Sequence, residues 1–217
     1  MRNQKRNPGI AKMAEVWRDD PLRFGKALWP DVDFYDRQRE IIASVQRNDE
    51  TFVYACNMSG KDFVSGFLAL WYFTCHGPVR IVTTSVRDDH LRVLWGEIGR
   101  FIETSRFPLL VKDGGPLLFN HRELKKVLPN GRVDRISYCI GMVSEKGEGM
   151  AGHHAKYTMG IIDEASGVDN LVYTQMCTWA KRILAIGNPN PCQNFFRKGI
   201  KGGDLIASSQ YVDAQFT

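Results

Sequence analysis

The chain has 217 residues, is 43% hydrophobic and 24% charged, and carries a formal net charge of +5 with a pI near 9.0. This excludes a disordered or fibrous chain, allows one generous domain or two small ones, and permits a polyanionic partner without demanding one. The polar N-terminus has no apolar signal core and no run of 18 apolar residues occurs, so neither secretion nor a membrane span is expected.

Along the chain, Arg2, Lys5, Arg6 and Lys12 mark residues 1–27 as a basic N-terminal segment, read as a solvated tail. Residues 28–217 then form one domain, since no Pro/Gly/Ser-rich linker divides them. Ile41, Ile42 and Val45 give residues 32–47 a helical stripe with Asp33 placed to cap it. Residues 51–55 (TFVYA) read as a short buried strand and residues 62–75 as an aromatic helix stopped by Gly77-Pro78. Residues 80–85 (RIVTTS) form a second strand. Residues 88–104 follow as a helix with Leu91, Leu94, Trp95, Ile98 and Ile102 on one face. Residues 117–120, 124–128 and 132–143 are strands, with Pro129-Asn130-Gly131 turning a hairpin. A Gly-rich loop over residues 144–154 leads to a strand at 158–162, a helix at 170–180 and a strand at 183–186. Strands alternating with helices predict an α/β fold with a mainly parallel sheet covered on both faces. The hairpin becomes an antiparallel extension at its edge.

The cysteines Cys56, Cys75, Cys139, Cys177 and Cys192 are odd in number and form no C-x-x-C. They suit neither a disulfide framework nor a zinc site, and the expectation is mostly buried thiols in a reducing cytosol.

Two segments carry chemistry. Ala55-Cys56-Asn57-Met58-Ser59-Gly60-Lys61-Asp62 lies between a strand and a helix. This is the setting of the phosphate loop Gly-x-x-x-x-Gly-Lys-Ser/Thr, whose amides and helix N-terminus cradle phosphates while its lysine neutralises them. Gly60 and Lys61 are in register, Ala55 stands at the first glycine position, and Asp62 stands where a hydroxyl would bind Mg²⁺. Asp62 can ligate that ion through oxygen or serve as an ordinary helix cap. The second segment, Ile161-Ile162-Asp163-Glu164, puts two carboxylates at the C-terminal end of a buried strand, where α/β ligand sites form. Together the two point to nucleotide binding. Lys61 and the amides of residues 58–62 would hold phosphates, Asp163 the Mg²⁺, and Glu164 the attacking water.

These residues resemble the large terminase subunits of tailed bacteriophages, the motors that package DNA. Phe34-Tyr35-Asp36-Arg37-Gln38-Arg39-Glu40 is similar to the family's adenine motif, with Gln38 reading the base and Phe34 beside it. Residues 55–62 are similar to its phosphate loop, and a Gly-Lys-Asp ending to one branch of the family. The most specific stretch is Gly147 to His154 followed by Ile161 to Gly167; residues 183–189 (ILAIGNP) resemble the coupling motif, with Gly187 and Asn188 as its centre. The resemblance implies a RecA-like, additional-strand ATPase core that uses ATP and Mg²⁺. It also implies a homo-oligomeric, pentameric ring on the portal protein of a procapsid, monomeric in isolation. The partners implied are a small terminase subunit and double-stranded DNA, in the host cytoplasm and without a membrane. A metal-dependent nuclease domain completes the family's architecture, so the expectation is the motor part alone, a piece of a longer protein. Asn57 and Ala151 stand where some members carry arginine, which leaves Arg87, Arg92, Arg100 and Arg106 as candidate catalytic cations.

Sequence-independent grip on DNA needs phosphate-directed cations, and Arg122, Lys125, Lys126, Arg132 and Arg135 of the hairpin region are candidates. A solvated basic face is the alternative. Two other functions stay open: a helicase-like translocase, and a nucleotide-gated DNA-binding or assembly module with little turnover.

Overall fold

The computed structural model describes residues 15–143, 147, 149–201 and the backbone of 210–214. Residues 1–14, with Arg2, Lys5, Arg6 and Lys12, lie outside the described residues, as do 144–146 and Glu148 of the Gly-rich loop.

In chain order the helices are α1 (Pro21–Leu28), α2 (Asp36–Arg47), α3 (Lys61–Cys75), α4 (Asp88–Thr104), α5 (Asn170–Cys177) and α6 (Phe195–Ile200). The strands are β1 (Glu50–Ala55), β2 (Val79–Thr84), β3 (Leu117–Asn120), β4 (Glu123–Val127), β5 (Val133–Gly141), β6 (Tyr157–Asp163), β7 (Arg182–Gly187) and β8 (Gln210–Ala214). They form one sheet in the order β3-β4-β5-β2-β6-β7-β1-β8. From β5 to β8 every pairing is parallel, and β3–β4 and β4–β5 are antiparallel. The α/β expectation and the antiparallel hairpin extension are therefore both met.

The order has one functional consequence. β7 lies between β1 and β6, with Tyr54 opposite Gly187 and Ile186 opposite Asp163. The C-terminal ends of three parallel strands thus share one edge, and the loops that leave them share one crevice.

The sheet holds because both faces are covered. β6 (YTMGIID) and β7 (RILAIG) are buried beyond their first residues, as strands packed on both sides must be. On one face α3 packs as a helix apolar nearly all round, with Phe67, Leu68, Leu70, Trp71 and Phe73 at 0–1% exposure. α4 lies against it at Gly66, where a Cβ would meet Glu97 Cβ at 3.0 Å and the Ile98 nitrogen at 3.3 Å. On the other face Val172, Tyr173, Met176, Phe195 and Phe196, from α5 and α6, close a second cluster on Phe52, Ile162 and Ala185.

Three expectations change. The N-terminal segment is structural from Trp17 onward. Trp17, Phe24 and Leu28 lie in the main core, the Phe24 ring stands 5.6 Å from Trp17 and 5.5 Å from Trp29, and Trp71 Nε1 donates to the Trp17 carbonyl at 2.8 Å. α2 starts at Asp36 with no side-chain cap, because the Asp33 carboxylate accepts from Arg39 at 2.6 Å instead. Only Cys75 and Cys139 are buried; Cys177 is exposed, and Cys56 and Cys192 are half-buried.

Phe24→Ala tests whether the segment before residue 28 belongs to the core. Removing a fully buried ring is expected to cost about 3–5 kcal/mol, read as a lower denaturant midpoint at unchanged slope. A change within experimental error would return this segment to the status of a tail.

Candidate functional site

Residues 55–62 run from a strand through a tight turn into a helix. β1 ends at buried Ala55, Ser59 N–H donates to the Cys56 carbonyl at 3.3 Å, and α3 begins at Lys61 behind Gly60. Gly60 has φ 71° and ψ 27°, a left-handed conformation that glycine adopts without cost. A Cβ there would also lie 2.7 Å from Gln38 Nε2. Gln38, 5% exposed on α2, is thus packed against the hinge of the loop. Tyr35 at the same helix start donates its hydroxyl to the Ser59 carbonyl at 2.5 Å. With glycine as cap, no side chain fills the amides opening α3, and such a helix start attracts anions through its dipole and free N–H groups. Asn57 and Met58 stand exposed at the loop apex, Met58 with φ 64°.

Asp62 is in the first turn of α3, not its cap. Capping therefore does not explain this residue.

The acidic pair sits across the crevice. Asp163 closes β6 at 2% exposure, and Glu164 turns off the strand with φ 49° and ψ 43°. That left-handed step, uncommon for a non-glycine residue, carries Glu164 away from the strand and toward Lys61. Lys61 Nζ and Glu164 Oε1 are 2.8 Å apart, with both side chains largely shielded. Gly187 of β7 permits the turn, since a Cβ there would stand 2.8 Å from the Ala165 nitrogen. Asn194 Nδ2 holds the following residues by donating to the carbonyls of Ala165 at 2.8 Å and Val168 at 2.7 Å. Asn188, just past β7, donates from Nδ2 to Asn57 Oδ1 in the turn before α3 at 2.9 Å.

The electrostatics are unbalanced. Burial alone would lower the Lys61 ammonium, but its hydrogen bond and charge contact with Glu164 more than offset this and raise it. Burial and the neighbouring Glu164 charge raise the Asp62 carboxyl, against the opposing pull of Lys61. Burial first, then Asp62 and Glu164, push Asp163 up to about 7. Asp163 Oδ2 accepts a long hydrogen bond of 3.5 Å from Ser85, and Oδ1 is buried with no partner. A buried carboxylate oxygen left without a donor is costly, and a hard cation would relieve it. Among the described residues no three His, Cys, Asp or Glu side chains form a closed metal cage.

The structure therefore brings together Gln38, Ala55 to Asp62, Asp163, Glu164, Gly187 and Asn188. Phe34 is different: its ring is 5% exposed and packs on Phe67 at 4.6 Å and Phe63 at 5.6 Å, so it serves the core. Ser85, Asn194 and Tyr35 escaped the sequence reading. Ser85 could have been found, because it ends the apolar strand RIVTTS as Asp163 ends β6; Asn194 has no such local mark.

The basic candidates also separate. Lys126 turns its ammonium inward onto the His76 carbonyl and over the Phe73 ring, and burial pushes it down to about 8. Its ammonium is thus taken up within the fold. Arg122 is 13% exposed and bound to Asp88, whose carboxyl it holds at about 2. Lys125 pairs with Glu123 at 2.8 Å, while Arg132 and Arg135 are exposed. The exposed arginines Arg87, Arg92 and Arg100 pair with Asp89, Asp88 and Glu97 on their own helix, and Arg106 is exposed beside Phe107.

Among solved structures the chain is similar to the large terminase ATPase domain of Thermus phage P74-26, with a TM-score of 0.63 at 14% identity over 88% of this chain and 83% of that one. An arginine-to-alanine variant of that domain gives a TM-score of 0.64 at the same identity and coverage. The large terminase of bacteriophage HK97 gives 0.52 at 13% identity, over 82% of this chain and 37% of that one. No family model and no curated protein matches the sequence. The chain thus has the RecA-like fold of phage terminase ATPase domains, with β7 lying between β1 and β6.

The raised Asp163 carboxyl makes stability depend on pH. Between its ordinary 3.8 and about 7 the folded state keeps a proton that the unfolded state has lost, so metal-free stability falls as pH rises through this window. In chelator, Asp163→Asn should raise the Tm by several °C at pH 8, with the gain shrinking toward pH 4. Equal Tm values at pH 8 would show that Asp163 is not strained.

Proposed function

We propose that this chain is an ATP-hydrolysing motor domain that drives double-stranded viral DNA into a procapsid. The reading rests on the meeting of Lys61 and Glu164 at 2.8 Å beside the unpartnered Asp163 Oδ1, at the shared edge of β1, β7 and β6. A lysine at an uncapped helix start, a buried carboxylate and a second carboxylate one residue on are the parts that phosphoryl transfer to water needs.

In this reading the amides of residues 58–62 and Lys61 hold the phosphates, and Gln38 lies beside the loop to read the adenine edge. Glu164 orients the attacking water and accepts its proton, a contribution of about 10²–10⁴ in rate. Asp163 and Asp62 fit a Mg²⁺ ion, whose charge would offset that of the triphosphate when bound. Asn188, joined to Asn57, gives the phosphate loop a direct connection to the end of β7, through which the γ-phosphate's presence is passed to the rest of the domain. Arg132, Arg135 and Lys125 would supply phosphate-directed cations for the DNA backbone. The likeness in fold to terminase ATPase domains supports the further assembly: a ring of copies on a portal protein, with a small terminase subunit delivering the DNA.

ATP turnover and ATP binding measured in parallel test this reading. Glu164→Ala should keep binding and lose at least about 10²-fold in turnover, while Lys61→Ala should weaken both. Turnover unchanged in Glu164→Ala would remove the assigned base. For Asp62, the Mg²⁺ concentration giving half-maximal turnover should rise in Asp62→Ser; an unaltered requirement would exclude it as a ligand.

A further inference from the structure

We propose that Glu164 has a second role, resting on the ATPase reading above: without nucleotide, its carboxylate occupies the place on Lys61 that a nucleotide phosphate takes. Phosphate binding and release of the catalytic base are then one event.

The geometry is specific. Lys61 Nζ lies 2.8 Å from Glu164 Oε1, and the two side chains are 9% and 14% exposed. Little water competes for the pair, unlike the exposed Arg92–Asp88 bridge, where the side chains are 69% and 52% exposed. The backbone aims Glu164 at this contact through its left-handed φ of 49°, which the close approach of Gly187 and the Asn194 hydrogen bonds maintain. Lys61 is the cation beside the phosphate loop, while Asp62, Asp163 and Glu164 supply three carboxylates. A triphosphate entering that field meets repulsion unless Lys61 turns to it. When it does, Glu164 loses its counter-ion and its carboxylate becomes free to take a proton from water. A carboxylate held on an ammonium is not. The pair therefore guards against an active base in an empty site, and its re-formation after phosphate loss favours product release. The cost is affinity: a ligand that binds only the fraction of molecules with Lys61 free binds more weakly by that fraction.

The test titrates a fluorescent ATP analogue and, separately, inorganic triphosphate in EDTA, which excludes metal and turnover. Glu164→Gln should bind both about tenfold more tightly than wild type, as expected if Lys61 is paired about nine-tenths of the time. Asp62→Asn removes the same charge beside the loop, and no ion pair joins Asp62 to Lys61 among the described residues. It should tighten binding less than about threefold if pairing rather than net charge sets the affinity. In parallel, modification of Lys61 by an amine-reactive reagent, followed by mass spectrometry, should accelerate in Glu164→Gln and not in Asp62→Asn. Binding by wild type with no gain in Glu164→Gln, or an equal gain in Asp62→Asn, overturns the second role and leaves the ATPase reading standing. No binding of either probe by wild type or by Glu164→Gln in EDTA overturns the second role; no binding after Mg²⁺ is restored overturns the ATPase reading as well.

Discussion

Lys61 and Glu164 come from distant parts of the chain, and what joins them is the parallel register of three strands. β7 pairs with β1 on one side and β6 on the other, so Tyr54, Gly187 and Asp163 reach the same edge together. Were β7 elsewhere, β1 and β6 would be neighbours and the crevice between their loops would close by about one strand spacing, roughly 4.8 Å. The inserted strand sets the width of the site, and its own end supplies Gly187 and Asn188 to the gap it creates. The burial of Ile183, Leu184, Ala185 and Ile186 on β7 is thus a requirement of the site as well as of the core.

Local rules are broken around this crevice. A non-glycine residue adopts a left-handed conformation at Glu164, a carboxylate oxygen of Asp163 is buried without a donor, and acidic side chains crowd one lysine. None of these stabilises the fold. Elsewhere the apolar packing is close, with α3 apolar nearly all round and indole partners for Trp29 and Trp71, although the Ser65 and Thr74 hydroxyls of α3 are buried without partners and His121 also has a positive φ. What sets the crevice apart is that these departures gather there around unbalanced charge, which is what a site built to receive charge looks like. The two irregular ends of the segment 55–62 differ in weight. Ala55 is merely buried at the end of β1, whereas Asp62 adds a carboxylate to a region already short of positive charge.

Much of this was legible in sequence because it depends on local pattern. Apolar runs ending in charge located β1 and β6, and the Pro129-Asn130-Gly131 turn located the β4–β5 hairpin. Glycine at position 60 announced the loop, since the chain needs a left-handed residue there. The rest depended on contacts between distant segments. Trp17 is an ordinary aromatic in a basic stretch until the Trp71 indole is found on its carbonyl. Lys126 reads as one of a basic run until the antiparallel ladder turns it inward toward His76. Phe34 belongs to the motif that resembles an adenine site, yet Phe63 and Phe67 claim its ring. Asn194 reaches back to the turn after Glu164, and no spacing rule predicts such a contact.

The central claim is that the crevice between Gly60 and Glu164 receives the phosphates of ATP with Mg²⁺ at its acidic side. A crystal structure with a non-hydrolysable ATP analogue and Mg²⁺ tests it most directly. The account predicts phosphates on the amides of residues 58–62, Lys61 turned from Glu164 to the phosphates, and Asp163 on the metal side. Nucleotide bound away from Lys61, or bound with the Lys61–Glu164 pair intact, would contradict it.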